Sequence, residues 1–320
     1  MRGATRDGVM EAAGKIAAIV PPTPLISLQL NGHALWCKAE ALQPIGAFKL
    51  RGAWHRLTAI APADRTAGVV AFSSGNHAQG IAWAAQRLGM PALIVMPADA
   101  PAKKLAATRA LGAEIVTYDR HRESREEIAA RIATERGAVL VPSFDDPWVV
   151  EGQGSTGVEI AAQLAERGHP GPARIVIPCG GGGLAAGIAL ACPDAEIIVV
   201  EPEGWDDMAR SLAGGQIVPV APDAPYTACD ALQTRQVAPI TFDVLKARGA
   251  RGVAVSEAEV ETAIRFAFDH FRIVLEPGGA VALAAALAAK APLGGGTVLV
   301  LSGGNIDAQA YARIIAKGAD

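Results

Sequence analysis

With 320 residues, 51% of them hydrophobic, the chain is long enough for two domains and for burying most of the surface its unfolded form exposes. Twenty-nine Lys and Arg stand against 32 Asp and Glu, a net charge of −3 with no basic runs, so nothing in the charge pattern calls for nucleic acid. The longest apolar stretches, such as Ala280 to Ala289, fall short of the ~18 residues a membrane span needs, and the N-terminus, with Arg2, Arg6, Asp7 and Glu11, lacks an apolar signal core. A cytoplasmic protein with no membrane partner is therefore expected. Cys37, Cys179, Cys192 and Cys229 form no CxxC pair and read as small buried hydrophobes.

Early in the chain, Gly46-Ala47-Phe48-Lys49-Leu50-Arg51-Gly52 sets a lysine among apolar and small neighbours, where desolvation favours the neutral amine that attacks an aldehyde. A lysine laid along the surface with its ammonium in water is the competing reading. From Gly68 the chain alternates short β-branched runs with Ala-rich amphipathic segments: GVVAFSS, a helix over His77 to Leu88, PALIVMP, Lys103 to Leu111, AEIVTYD, and Ser124 to Gly137. After a helix over Trp148 to Arg167, the runs RIVIPC, AEIIVVE and TVLVLS continue the pattern, and Pro219 to Pro225 reads as a loop. Continuous apolar strands alternating with helices predict an α/β protein of two domains, each an open, mostly parallel sheet flanked by helices.

Strand ends that run straight into Gly, Ser or Asn mark where open α/β sheets bind ligands. Three such loops, Ser73 to Gly75, Gly180 to Gly183 and Ser302 to Asn305, are expected to meet in one crevice. Phe72-Ser73-Ser74-Gly75-Asn76-His77 offers hydroxyls, an amide and first-turn N–H groups to a carboxylate or ring oxygen, although Ser74 or Asn76 also suits an ordinary helix N-cap. His77 alone reads as structural. Gly180-Gly181-Gly182-Gly183 follows a strand and opens a helix, so bare N–H groups converge on an anion. The loop does not name that anion: Gly181, Gly183 and Ala186 also satisfy GxGxxA, with Glu201 ending the next strand, as in a dinucleotide site.

Together these motifs resemble the fold-type II pyridoxal 5′-phosphate (PLP) enzymes of the threonine/serine dehydratase and serine racemase group, which share the tryptophan synthase β-like fold. The resemblance runs from Pro22-Thr23-Pro24-Leu25, through Lys38-Ala39-Glu40 and Gly46 to Gly52, to Ser302-Gly303-Gly304-Asn305. It implies a large PLP-binding domain over 1–67 and 146–320 and a small mobile domain over 68–145, which closes over substrate. It implies that Lys49, beside Phe48, holds PLP as a Schiff base and acts as catalytic base; that Gly180, Gly181, Gly182 and Gly183 hold the phosphate; and that Asn76 contacts the ring hydroxyl. Ser302 would face the ring nitrogen, where a hydroxyl, unlike a carboxylate, does not stabilise a protonated pyridine and so favours elimination. Ser73, Ser74 and the backbone of Asn76 and His77 would grip the substrate carboxylate.

The implied reaction is loss of water from an L-threonine- or L-serine-type amino acid, giving a 2-oxo acid and ammonia. Ser74 matches the acid/base of serine racemases, so racemisation of serine or aspartate is a second reading, and 3-hydroxyaspartate dehydration a third. An NAD-binding oxidoreductase built on the glycine loop leaves Lys49 and Ser302 without a purpose, and a non-catalytic scaffold leaves the whole set so. Glu201, the Trp205 carbonyl and Asp207 resemble the family's divalent-cation site, suited to Mg²⁺ or Ca²⁺, against the alternative of a solvated acidic helix start. Arg125 matches an arginine near the substrate entrance, against a surface i,i+4 pair. Glu276 matches a position near the cofactor. Thr234 lies in Asp230-Ala231-Leu232-Gln233-Thr234, which departs from the family's Ala-Asp-Gly and bears on substrate preference. A homodimer is expected by the same resemblance. So is the absence of isoleucine feedback, because the chain stops near Lys317 without a regulatory domain.

Overall fold

The computed structural model describes residues 2–73, 75–100, 102–120 and 122–317. The chain opens with helix α1 (Arg6–Ala17) and an antiparallel hairpin, β1 (Leu25–Leu30) and β2 (His33–Lys38). Asn31 and Gly32 turn the hairpin at φ 50° and 79°, the left-handed pair that matches the twist of the flanking strands. Helix α2 (Leu50–Thr58) starts directly after Lys49.

A four-stranded parallel sheet follows, formed by β3 (Val69–Phe72), α3 (Asn76–Leu88), β4 (Ala92–Pro97), α4 (Ala102–Ala110), β5 (Glu114–Tyr118), α5 (Arg125–Arg136) and β6 (Val139–Leu140), in strand order β5-β4-β3-β6. Helix α6 (Pro147–Ala165) then leads into the second sheet. This contains β7 (Arg174–Pro178), α7 (Gly183–Ala191), β8 (Glu196–Pro202), α8 (Asp207–Gly214), α9 (Pro239–Ala247), β9 (Arg251–Val255), α10 (Glu257–Phe271), α11 (Pro277–Leu287), β10 (Thr297–Val300) and α12 (Ala308–Ala316). Its order is β1-β2-β10-β7-β8-β9, parallel except for the hairpin.

The strands read as unbroken apolar runs because both faces of each sheet are covered. Ile198 and Val200 pack toward α10 and α11, while Ile197 and Val199 pack toward α7 and α9. In the smaller sheet Val70, Leu93 and Val95 meet α5, and Val69, Ala71, Ile94 and Met96 meet the other layer. Each such side chain contributes roughly 1.5–3 kcal/mol of burial, which fixes the register of both sheets. The layer over the smaller sheet draws in Ala12 and Ile16 of α1 and Leu50, Ala53 and Leu57 of α2, so its core reaches outside residues 68–145. Helices α6 and α7 cross where a Cβ on Gly187 would run into the Val150 carbonyl and Gly154, a backbone approach that only glycine permits. Among the described residues, no helix is long and apolar enough to cross a membrane.

Inside this scaffold lies a buried charge cluster. Arg51, fully buried, donates to both oxygens of Glu40 at 2.7 and 2.8 Å and to both oxygens of Glu159 at 2.6 and 2.8 Å. Lys38, equally buried, donates to Glu159 at 2.6 Å, to the Thr23 carbonyl at 2.8 Å and to Gln163 at 2.9 Å. Two cations and two carboxylates balance, and the cluster ties β2 and α6 to the first turn of α2.

Candidate active site

A cavity of about 530 Å³ opens between the two sheets at the carboxyl ends of their strands, and the three loops expected to meet there do so. Phe48, Lys49, Ser73, Asn76, His77, Arg125, Gly180 to Gly183, Thr234, Glu276 and Ser302 all line it. Ser74 lies outside the described residues. Glu201, Trp205 and Asp207 do not line the cavity and form a separate group.

Lys49 is held by its chain neighbours. Ala47 bridges to Gly303, the Phe48 N–H donates to the Ser302 carbonyl at 3.2 Å, and the Gly304 N–H donates to the Gly46 carbonyl at 2.8 Å, so the lysine and serine loops are stitched through main chain. The Lys49 amine donates to the Ser143 carbonyl at 3.1 Å and sits 5.1 Å from the Phe48 ring centre. Burial pushes its pKa down to about 8, against the opposing field of Glu276. Relative to an ordinary amine at 10.5, this raises the neutral fraction at pH 7.5 by roughly a few hundredfold. Capture of an aldehyde by the cofactor-free protein is therefore expected to accelerate from pH 7 to 9 and level off above, as followed by the growth of visible absorbance. A rate still climbing steeply at pH 10 would contradict this.

The glycine loop joins β7 to α7. Gly182 caps the helix at φ 84°, and a Cβ on Gly181 would run into the Phe144 ring. The first N–H groups of α7 have no partners within their own helix, which makes this end an anion site. The Thr241 hydroxyl braces the loop by donating to the Gly181 carbonyl at 2.8 Å.

On the opposite wall, Asn76 opens α3 and His77 follows. His77 is buried with Nε2 2.9 Å from the Val141 carbonyl, so that nitrogen carries the proton; burial, and next the field of Lys49, push its pKa down to about 3. It is a neutral side chain fixed through Nε2, with Nδ1 left without a hydrogen-bond partner among the described residues. Glu276, at the N-cap of α11, accepts from Asn76 Nδ2 at 2.6 Å, and burial raises its pKa to about 8. Arg125 stands at the cavity rim, 5.5 Å from the Phe72 ring and paired with Glu126 at 2.8 Å, rather than with a residue four positions along the helix. Thr234 approaches Gly180, and Lys104 of α4 spans the mouth to Asp230 at 2.5 Å. Sequence reasoning missed Ser143, Phe144 and Thr241; their only signal was position, just before α6 and in the first turn of α9.

Glu201 and Asp207 are fully buried, which overturns the reading of a solvated helix start. Glu201 accepts from the Met208 and Ala209 N–H groups at 3.0 and 2.8 Å and does not line the cavity of the glycine loop, where the acidic residue of a dinucleotide site would have to meet a ribose. Among the described residues, neither carboxylate oxygen of Asp207 has a well-formed hydrogen-bond partner, only weaker approaches from the Asp207 and Val237 main-chain N–H groups. Burial raises its pKa to about 7, and burial and then Asp207 raise that of Glu201. Among the described residues, no three Asp, Glu, His or Cys side chains gather as a metal cluster. Two carboxylates and a carbonyl would have to be completed by water.

An amine poised for an aldehyde, an anion cradle facing it across one cavity, and hydroxyl and amide groups between them form a receptor for a phosphate-bearing aldehyde. Residues 16–304 match the family described as pyridoxal-phosphate dependent enzyme. The L-threo-3-hydroxyaspartate ammonia-lyase of Saccharomyces cerevisiae is 38% identical over 99% of this chain and 98% of its own. The serine racemase of Schizosaccharomyces pombe is 38% identical over 98% of each chain. Among solved structures, maize serine racemase aligns with a TM-score of 0.90 at 33% identity, covering 99% of this chain and 98% of its own.

Proposed function

The chain belongs to the pyridoxal-phosphate dependent enzyme family, and from that premise we propose that it removes water from a β-hydroxy amino acid, releasing a 2-oxo acid and ammonia. The observation that carries this reading is the Lys49 amine, its pKa lowered by burial to about 8, in one cavity with the glycine loop and Ser302. The residues fit the cofactor: the α7 N-terminus and Gly180 to Gly183 take its phosphate, Lys49 its aldehyde, Asn76 its ring oxygen and Ser302 its ring nitrogen. When bound, PLP supplies the electron sink that acidifies the substrate Cα–H. Ser73 and the first N–H groups of α3 orient the substrate carboxylate. Lys49 Nζ takes the Cα proton, the β-hydroxyl gains one proton and leaves as water, and the released enamine tautomerises and takes up one water to give the 2-oxo acid and ammonia. A base with a pKa of about 8 is suited to that task near neutral pH. Ser302, neutral and a weak acceptor, would give the cofactor's ring nitrogen no anionic partner, a setting suited to elimination.

L-Threonine and L-serine are the first substrates to try. Arg125 on the rim supports L-threo-3-hydroxyaspartate as a second reading, because its guanidinium suits an additional carboxylate. The holoenzyme is to be incubated separately with the three amino acids, following keto acid and ammonia, with chiral analysis of the remaining serine. Keto acid from any one supports dehydration, inverted serine without keto acid replaces it with racemisation, and neither product removes the assignment. Closure of residues 68–145 over the bound substrate and a homodimeric assembly belong to the same proposal. Closure must shear against α1 and α2, which share that sheet's core.

We also propose that Glu201, the Trp205 carbonyl and Asp207 hold Mg²⁺ or another divalent cation, a role supported by the burial of both carboxylates and the lack, among the described residues, of a well-formed hydrogen bond to either Asp207 oxygen. At a hundredfold excess over its Kd, a bound cation adds about 2.7 kcal/mol to stability. Mg²⁺ or Ca²⁺ should therefore raise the melting temperature of the parent by several degrees, chelator should reverse the rise, and Asp207→Asn should abolish it. Equal responses in parent and variant would discard the site.

A further inference from the structure

The side-chain amide of Asn305 has only one workable polarity. Its Nδ2 lies 2.8 Å from the Ile45 main-chain carbonyl, which can only accept, and 2.8 Å from the Asn76 amide. The Asn76 atom that meets it must then be Oδ1. That turns Asn76 Nδ2 the other way, to the 2.6 Å contact with Glu276 Oε1 on the cavity wall. Polarity set by one main-chain carbonyl thus passes through two amides to a carboxyl group. The far side of the Asn305 amide is confined as well, because a Cβ on Gly46 would run into Oδ1, and Gly46 sits at φ 71°. Asn305 itself does not line the cavity. Asn76 and Glu276 are both buried, so a misdirected donor at their contact costs a hydrogen bond there.

We propose that Asn305 is a positioning residue that locks the Asn76 amide with its nitrogen toward Glu276 and the cavity, so that the site presents the cofactor ring oxygen with an N–H donor and never an acceptor. This rests on the reading of Asn76 as the ring-oxygen contact. A donor there stabilises the ionised ring oxygen, and an acceptor would repel it. One Nδ2 hydrogen goes to Glu276 and the other stays available to the ligand. With its pKa raised by burial to about 8, Glu276 carries a proton near neutral pH and can donate as well as accept, so the polarity is set from the Asn305 end.

Asn305→Asp tests this on the holoenzyme, since it keeps the shape but removes the donor, which drives the Asn76 amide to flip. The expected result is a shift of absorbance from the visible band into the near ultraviolet. The pH at which that band titrates should move upward, and PLP should bind about ten- to a hundredfold more weakly. Asn305→Ala removes the lock without reversing it and should fall between variant and parent. A purely structural role would lower the melting temperature of both variants and leave the band and its titration in place, which would overturn the proposal. Should Asn305→Asp not fold, a parent-like titration and PLP affinity in Asn305→Ala overturn it equally. A parent that takes up no PLP removes the family reading of the site too, whereas a yellow parent with unaltered variants removes this inference alone.

Discussion

Lys49→Ala is expected to lower turnover of every β-hydroxy amino acid by at least about a thousandfold, because in the proposed role of Lys49 the variant loses both the covalent anchor of the cofactor and the base that takes the Cα proton. The loss should be chemical rather than structural. Among the described residues the Lys49 side chain makes a single hydrogen bond, to the Ser143 carbonyl, and the residue keeps its place through the main-chain links of residues 46–48 to 302–304. The variant should therefore unfold near the parent's temperature and still take up PLP weakly through the glycine cradle. Borohydride should fix PLP to the parent at Lys49 and leave the variant unlabelled. Turnover comparable to the parent would sink the assignment of Lys49.

The largest expected effect on stability comes from Arg51→Met. Its guanidinium makes four hydrogen bonds to Glu40 and Glu159 and a fifth, at 3.1 Å, to Ser155. Removing it leaves two carboxylates facing Lys38 alone, and breaking a buried ion pair from one side costs about 3–5 kcal/mol. A fall in melting temperature on the order of 10 °C should follow. Arg51→Lys should recover only part, because one ammonium cannot bridge two carboxylates. Burial alone would raise the Glu40 pKa, yet the Arg51 guanidinium holds it below its ordinary 4.5. Glu40 therefore contributes stability that is present above pH 4.5 and is lost as pH falls through its lower folded value. In Arg51→Met that loss should move to higher pH, as seen by unfolding between pH 4 and 7. Unchanged stability would mean that the cluster is replaceable by packing alone.

The strands legible in the sequence were those buried on both faces, such as Val69–Phe72, Ala92–Pro97 and Glu196–Pro202, whose side chains have no solvent side to break the apolar run. The hairpin of Leu25–Leu30 and His33–Lys38 escaped notice although Asn31-Gly32 is a strong turn signal, because exposed His33 and Ala34 interrupt its pattern. Arg251–Val255, a short edge strand only partly buried, carried too little periodicity. At the site, loops following strands were readable because position at a strand end is itself a signal. Side chains that act through non-local partners were not. Lys38 and Glu40 stood out only as part of a motif, and their purpose emerges once α6 brings in Glu159. Asn305 likewise looked like the end of a glycine loop until the fold set Ile45 and Asn76 around it.

The main-chain stitch between Ala47 and Gly303 also sets a timetable. Lys49 leaves the ribosome early, but the strand and loop that hold it in register arrive roughly 250 residues later, some 10–50 s at ordinary rates of synthesis. Until then the chain has an exposed amine and no finished pocket. With Lys49 in its proposed role, cofactor loading is accordingly expected to be a late event, following the entry of the last sheet strand into its slot between β2 and β7.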